Sequence, residues 1–330
     1  MTTVPVEWPD VAESVIRGDL TVAVAYGTPA GGAVVTSVSP VGLADREAGR
    51  VGFTTSLGFP KKLDRILRDP RVSLAYHTRE HGFAETNAYV LAQGTASVDL
   101  SPAPERLAEL MAAAEPFLGA APKGRLWDWL LREYHQERVF VDVHVDRIAV
   151  WPDLMARGPL STTGPTWPSP PLEQEPPKNG TTPRVPVDAL ARRMEPLPHR
   201  VLAYQGSDGY PVVVPVAVTG HDSAGLRLQA APGALPPGGR RAGFLAHAFN
   251  QQCVGLSMRT LTGWLSVTEK GARYAPHTSH GLAAPANKTL IATTNGLLAK
   301  YGLRQARRNG TLARLRELVG EATPSPTSRS

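Results

Sequence analysis

Residues 53–77 read FTTSLGFPKKLDRILRDPRVSLAYH, a strand end, a helix and a second strand in immediate succession. The apolar run RVGFTT (50–55) is strand-like. After Pro60, Leu63, Ile66 and Leu67 recur at helical spacing. The helix must stop before Pro70, because proline disfavours helical φ/ψ in the residue preceding it. RVSLAYH (71–77) then alternates as a half-buried strand does.

Working outward, residues 9–18 read as a helix with Asp10 near its start. TVAVAY (21–26) and AVVTSV (33–38) flank the turn TPAGG and read as a hairpin. YVLAQGTASVDL (89–100) is a long strand whose internal Gly94 predicts a bulge or a sharp bend at a barrel corner. Ser101 is placed to cap a helix carrying Pro102 in its first turn, with Glu105 near the capping-box position. A second helix is expected over about 124–135, and RVFVDVHVDRIAVW (138–151) closes the unit as a strongly alternating strand.

The second half repeats this order. VLAY (201–204) echoes VAVAY, PVVVPVAVT (211–219) echoes AVVTSVSPV, and GLRLQA (225–230) echoes GRVGFTT. RRAGFLAHAFN (240–250) takes the place of the KKLDRILRDP helix and its following strand. LTGWLSV (261–267) echoes LAQGTASV, with Gly263 at the place of Gly94. Several segments repeated in the same order indicate a duplication. Between the halves, residues 158–184 contain eight prolines. Proline lacks an N–H and fixes φ, so this stretch reads as an extended linker. The expected organisation is a first lobe over 1–157, the linker over 158–184, a second lobe over 185–322 and a disordered tail over 323–330. The fold class is mainly β with α (α+β).

The chain has 330 residues, 42% hydrophobic and 19% charged. It is long enough for two domains. The N-terminus lacks the basic and apolar regions of a secretory signal, and no apolar run approaches the roughly 20 residues of a spanning helix. With a lone cysteine, Cys253, an internal disulfide is excluded, and the reading is a soluble cytosolic protein with no membrane partner. Cys253 sits among amide and apolar residues and reads as structural. The frequent Ala, Arg, Gly and Pro suggest a bacterial origin. Net charge is +6, part of it in KYGLRQARRNGTLARLR (300–316). No recognised nucleic-acid motif accompanies that charge, so a solvated helical face is preferred to a nucleic-acid site.

The run from Phe53 to His77, followed by YVLAQGTASV and closed by VHVDRIAVWPD, resembles the split β-barrel superfamily of the pyridoxamine 5′-phosphate oxidases and the deazaflavin-dependent reductases. The resemblance covers roughly residues 10–155. It implies two FMN-type split barrels in tandem, and a cofactor that is FMN or, alternatively, a deazaflavin (coenzyme F-420). In such barrels the strand end and the lysines of the helix entry contact cofactor phosphate and ring. Carried onto this chain, that implies Thr54, Thr55, Ser56, Lys61 and Lys62. Thr36 and Ser37 fall on the strand that lines the ring, and Gln93 is placed to hydrogen-bond a ring edge. The residues themselves allow the same chemistry, since lysines and free N–H groups at a helix entry can converge on one anion. They equally allow a lysine pair on a solvated helix face. These barrels usually bind cofactor between two subunits, so a pseudo-dimer within one chain, or a homodimer, is expected. Nothing in the chain matches the substrate-binding C-terminal segment of the vitamin-forming oxidase, so pyridoxine chemistry does not transfer.

In the second lobe the lysine pair becomes Arg240 and Arg241, after an unlike loop, which predicts a degenerate site. Arg68 and Arg71 bracket Asp69-Pro70, where a structural ion pair or a turn anchor explains them as well as ligand binding does. Glu80 and His81 follow a strand and could line a pocket mouth. His277, His280, Asn287 and Lys288 lie in a loop-like stretch without a third ligand, so a metal is not expected. The leading functional expectation is a flavin-type oxidoreductase acting on a small organic substrate. The alternatives are a non-catalytic flavin or small-ligand binder and a structural or interaction protein.

Overall fold

The computed structural model describes residues 6–57, 60–119, 138–284, 304 and 307–322. The first lobe runs α1 (Asp10–Gly18), β1 (Val22–Gly27), β2 (Ala33–Val38), β3 (Ala44–Asp45), β4 (Arg50–Ser56), α2 (Pro60–Arg68), β5 (Arg71–Tyr76), β6 (Tyr89–Asp99), α3 (Pro104–Leu118), β7 (Arg138–Trp151) and β8 (Ser161–Thr163). The second runs α4 (Val187–Met194), β9 (His199–Gln205), β10 (Pro211–Pro215), β11 (Ala217–Asp222), β12 (Gly225–Gln229), β13 (Gly238–Ala248), β14 (Ser257–Thr268) and β15 (Gly271–Ala283). A last helix, α5 (Thr311–Ala322), follows.

Each lobe is one antiparallel sheet. The first has the order β2-β1-β5-β6-β7-β4-β3, with β8 on β7, and the second has β10-β9-β13-β14-β15-β12-β11. Substituting each strand by its counterpart turns one order into the other, so the chain is a tandem duplication. In the first lobe β2 and β4 curl back into contact across the gap between the sheet's ends, which makes it a split barrel.

The registers fix the correspondence residue by residue. Tyr26 pairs with Val72 and Val72 with Gly94; Tyr204 pairs with Ala242 and Ala242 with Gly263. Gly94 and Gly263 each sit at a register shift, as the bulge reading required. A Cβ on Gly94 would lie 2.1 Å from the His144 carbonyl oxygen, and one on Gly263 2.2 Å from that of Ala275. Glycine is needed here because the neighbouring backbone crosses too close for any side chain.

The strands of TVAVAY and VLAY are buried on both faces. Val22, Val24 and Tyr26 fill the first barrel, whereas Ala23 and Ala25 face the second lobe. Leu202 and Tyr204 fill the second barrel, whereas Val201 and Ala203 face the first. β2 packs on β9, β13 and β14, and reciprocally β10 packs on β1 and β5. Alanines on the shared face let the two sheets approach closely, which is how a near-continuous apolar run comes to serve two cores at once.

Some expectations are corrected. α3 starts at Pro104 with Ala103 as N-cap and no side-chain cap bond, so Ser101 lies two residues before the cap, its N–H donating to Asp99 Oδ1 at 3.0 Å. Residues 240–250 contribute no helix; they run through β13, so the second lobe lacks a counterpart of α2. PVVVPVAVT divides at Val216 into β10 and β11. The Pro-rich stretch supplies β8 from its proline-free STT, then lies along the second lobe, where the Gln174 N–H donates to the Gly239 carbonyl at 2.8 Å. His277 and His280 lie within β15 rather than a loop. α5 packs on α2, burying Leu315 in the first core, so part of the basic segment is a docked helix. The helix expected at 124–135, Asn287, Lys288 and the 323–330 tail fall outside the described residues. No helix among the described residues is long and apolar enough to cross a membrane.

Candidate functional site

β4 ends in Thr54-Thr55-Ser56, and α2 starts at Pro60. Proline suits the first helical turn because its missing N–H would have no intrahelical partner there. Leu63 and Ile66 bury one face of α2 in the barrel core. That registry sets the two lysines apart. Lys61 is exposed, whereas Lys62 is half-buried with its Nζ 5.8 Å from the centre of the Phe53 ring. Burial lowers the Lys62 ammonium to about 8. Phe53 is itself fully buried on β4.

The hydroxyls beside it are differently placed. Thr54 Oγ1 accepts a hydrogen bond from the Arg138 guanidinium, and Thr55 is buried. Ser56 lies opposite Arg138 in the β4–β7 ladder. Arg138 adjoins these candidate residues, and the sequence reading does not single it out. Only the pairing of β7 with β4 brings it to the strand end, although its place at the start of an alternating strand is visible. Arg65, one helical turn beyond Lys61 and Lys62, hydrogen-bonds the Tyr26 hydroxyl, whose pKa burial nevertheless raises.

β2 forms the other lip of the split. Ser37 Oγ is enclosed without a partner among the described residues, and Thr36 Oγ1 donates to Met258 Sδ of the second lobe at 3.6 Å. Gln93 stands apart from this group. Its Nε2 donates to the Pro211 carbonyl at 2.8 Å, and its Oε1 accepts from Arg147 Nε at 2.7 Å. Arg147 also donates to Asp208 at 2.5 Å and to the Thr166 carbonyl at 2.9 Å, so Gln93 belongs to a network tying the lobes together.

Arg68 pairs with Asp64, and Arg71 with Asp69, as anchors do. In the second lobe Arg240 is buried and donates to the carbonyls of Pro171, Pro236 and Pro237. Arg241 bonds Gln174. The prolines thus occupy Arg240 NH1 and NH2. Burial pushes the Cys253 thiol up to about 12, which makes it a poor nucleophile at neutral pH. Glu80 meets His199 at 3.1 Å, and His81 packs on Phe249. Among the described residues no group of His, Cys, Asp or Glu is set to hold a metal ion.

Basic and hydroxyl side chains are thus grouped around the end of β4 and the start of α2. Lys62 lies over Phe53, Arg138 donates to the Thr54 hydroxyl, and Lys61 is exposed on the first turn of α2.

No protein-family model matches the chain, and no curated protein matches it. Similar solved structures include a conserved hypothetical protein from Mycobacterium tuberculosis, 19% identical, covering 47% of this chain and 91% of its own at a TM-score of 0.33. An F420 reductase is 16% identical and covers 43% of this chain and 98% of its own, at 0.32. A pyridoxamine 5′-phosphate oxidase-related, FMN binding protein from Nostoc punctiforme is 8% identical and covers 60% and 87%, at 0.28. Likenesses this distant decide nothing about chemistry.

Proposed function

We propose that this chain binds a phosphorylated flavin-type cofactor, FMN or a deazaflavin, at the junction of β4 and α2, and that it is an oxidoreductase acting on a small organic molecule. The observation that carries this reading is Lys62. A helix-face lysine in water would extend away from the protein, but this one is half-buried with its Nζ over the ring of Phe53 on β4. A half-buried ammonium beside a helix entry and strand-end hydroxyls is suited to bind an anion.

Lys61, Lys62 and Arg138 would hold the phosphate, together with the strand-end hydroxyls. Thr36 and Ser37 point to opposite faces of β2, and Thr36, paired with Val24 of the first barrel, would be the one toward the ring, whereas Ser37, paired with Ala23, lies on the face toward the second lobe. The cofactor supplies hydride transfer, so the chain's task is to place it, exclude water and set its electrostatics. A half-buried ammonium also raises the local positive potential, which favours an anionic over a neutral ligand.

The test is a titration of purified wild type and the Lys61→Ala/Lys62→Ala double variant with FMN and with a deazaflavin. Loss of charge-assisted bonds should weaken the preferred cofactor by about 1–3 kcal/mol, roughly 5- to 150-fold. The difference should shrink in high salt. Equal affinity in the two proteins would take both lysines out of the site.

A further inference from the structure

His77 follows β5, and His247 lies near the end of β13. Each is five residues beyond a register-equivalent position, Val72 in one lobe and Ala242 in the other. The two histidines are therefore mates under the duplication, and they meet across the lobe boundary with their Nε2 atoms 2.8 Å apart. Both are buried.

The hydrogen bonds decide where the protons sit. His77 Nδ1 lies 3.1 Å from the Ala75 carbonyl oxygen, which can only accept, so Nδ1 carries the hydrogen and Nε2 is bare. His247 Nε2 must then be the donor in the pair. Its own Nδ1 is left bare, and that atom is enclosed with no partner among the described residues. A proton added to His77 Nε2 would collide with the hydrogen already between the rings. A proton added to His247 Nδ1 would make a buried cation with an unsatisfied N–H. Charging either ring while the pair is closed is therefore strongly disfavoured.

The surroundings offer little to offset such a charge. Arg79 lies on the His77 side and is paired with the buried Asp19. His199, at the start of β9, stands 5.2 Å from His247 and 6.4 Å from His77 between ring centres. His199 reaches the half-exposed Glu80 at 3.1 Å, which places the cluster's outer end near solvent. Phe249 stacks on His247, with His81 on Phe249. Arg200, next to His199, is turned to the carbonyls of Leu197 and Met194, and the Cys253 thiol is kept neutral by burial.

We propose that the His77–His247 pair, with His199 and Glu80 as its solvent-facing end, is a pH-sensitive latch that holds the two lobes together while both imidazoles are neutral and releases them on acidification. Burial holds His77 down to about 3 and His247 well below its ordinary value. Both rings are thus neutral in the closed form at any pH above the ordinary 6.5. The latch's contribution is complete there and is lost as pH falls from 6.5 towards the closed-form values.

The experiment follows the radius of gyration by X-ray scattering from pH 7.5 to 4.5, with circular dichroism reporting strand content. Wild type should expand while keeping its strands. Uptake of two protons makes the closed-to-open ratio fall up to about 100-fold per pH unit. The His77→Gln/His247→Gln variant, whose amides can share a bond but cannot titrate, should stay closed over the same range. Unchanged wild-type dimensions down to pH 4.5, or the same expansion in the glutamine pair, would overturn the latch. Imidazole NMR on wild type tests the latch even where the double variant does not fold. It should show His77 as the Nδ1–H form and His247 as the Nε2–H form, both neutral at pH 5.5 in any closed molecule. Ordinary titration of both near 6.5 with the lobes still docked would refute the proposal.

Discussion

Replacing Lys62 with Met should make the ligand-free protein more stable while weakening its grip on a phosphorylated cofactor. Methionine keeps most of the aliphatic stem over Phe53 and removes the ammonium. Burial brings the Lys62 pKa from 10.5 to about 8. At about 1.4 kcal/mol per unit, the charged form costs the fold about 3 kcal/mol at pH 7. Retained water around a half-buried group reduces that, so the expected gain is about 1–3 kcal/mol. The sign with pH is definite. Below 8 both folded and unfolded chains are protonated at this position and the gap is largest. Between 8 and 10.5 only the unfolded chain keeps the proton, so wild-type stability rises with pH there, and above 10.5 the gap closes. Urea unfolding of both proteins at pH 7 and pH 10 measures it. A Lys62→Met protein less stable than wild type at pH 7, or an equal gap at both values, would refute the view that this ammonium is held against its hydration.

Three other outcomes follow from the packing. Gly94→Ala and Gly263→Ala must each push a Cβ off a neighbouring carbonyl, and each should cost about 2–4 kcal/mol by denaturant titration, since overpacking of this kind moves backbone. Arg147→Met should cost about 2–4 kcal/mol in the same assay, because it leaves the Gln93 Oε1 and the Thr166 carbonyl without their donor. Arg138→Ala should weaken cofactor binding about tenfold in a fluorescence titration, whereas Gln93→Leu, in the lobe-tying network, should bind nearly as wild type does.

Much of the strand plan is legible in periodicity. RVFVDVHVDRIAVW alternates through Val141 to Asp146 between two continuous apolar runs and is β7 from end to end. Gly94 and Gly263 mark their bulges because only glycine admits such a crossing. Analogy between the halves is the weaker guide. RRAGFLAH has no helical spacing of its own, and it reads as helix plus strand only because KKLDRILRDP precedes the matching strand; β13 shows the segment following its own pattern. At the site, local sequence marks Lys61, Lys62 and the hydroxyl run, since they are neighbours along the chain. Arg138 is hidden because 82 residues separate it from Ser56 and only the β4–β7 register unites them. The same reason hides His77 and His247, whose meeting depends on how the two lobes dock. Gln93 has the right chemistry for a ring edge, but the direction of β6 turns it toward the second lobe.

The most direct measurement is the visible absorption of the purified chain during titration with FMN and with a deazaflavin. A saturable change in the flavin bands, fitting a defined stoichiometry and diminished in the Lys61→Ala/Lys62→Ala protein, is the expected result. Spectra that stay the sum of free cofactor and free protein up to millimolar concentration, for both compounds, would contradict the assignment of the β4–α2 junction as a cofactor site.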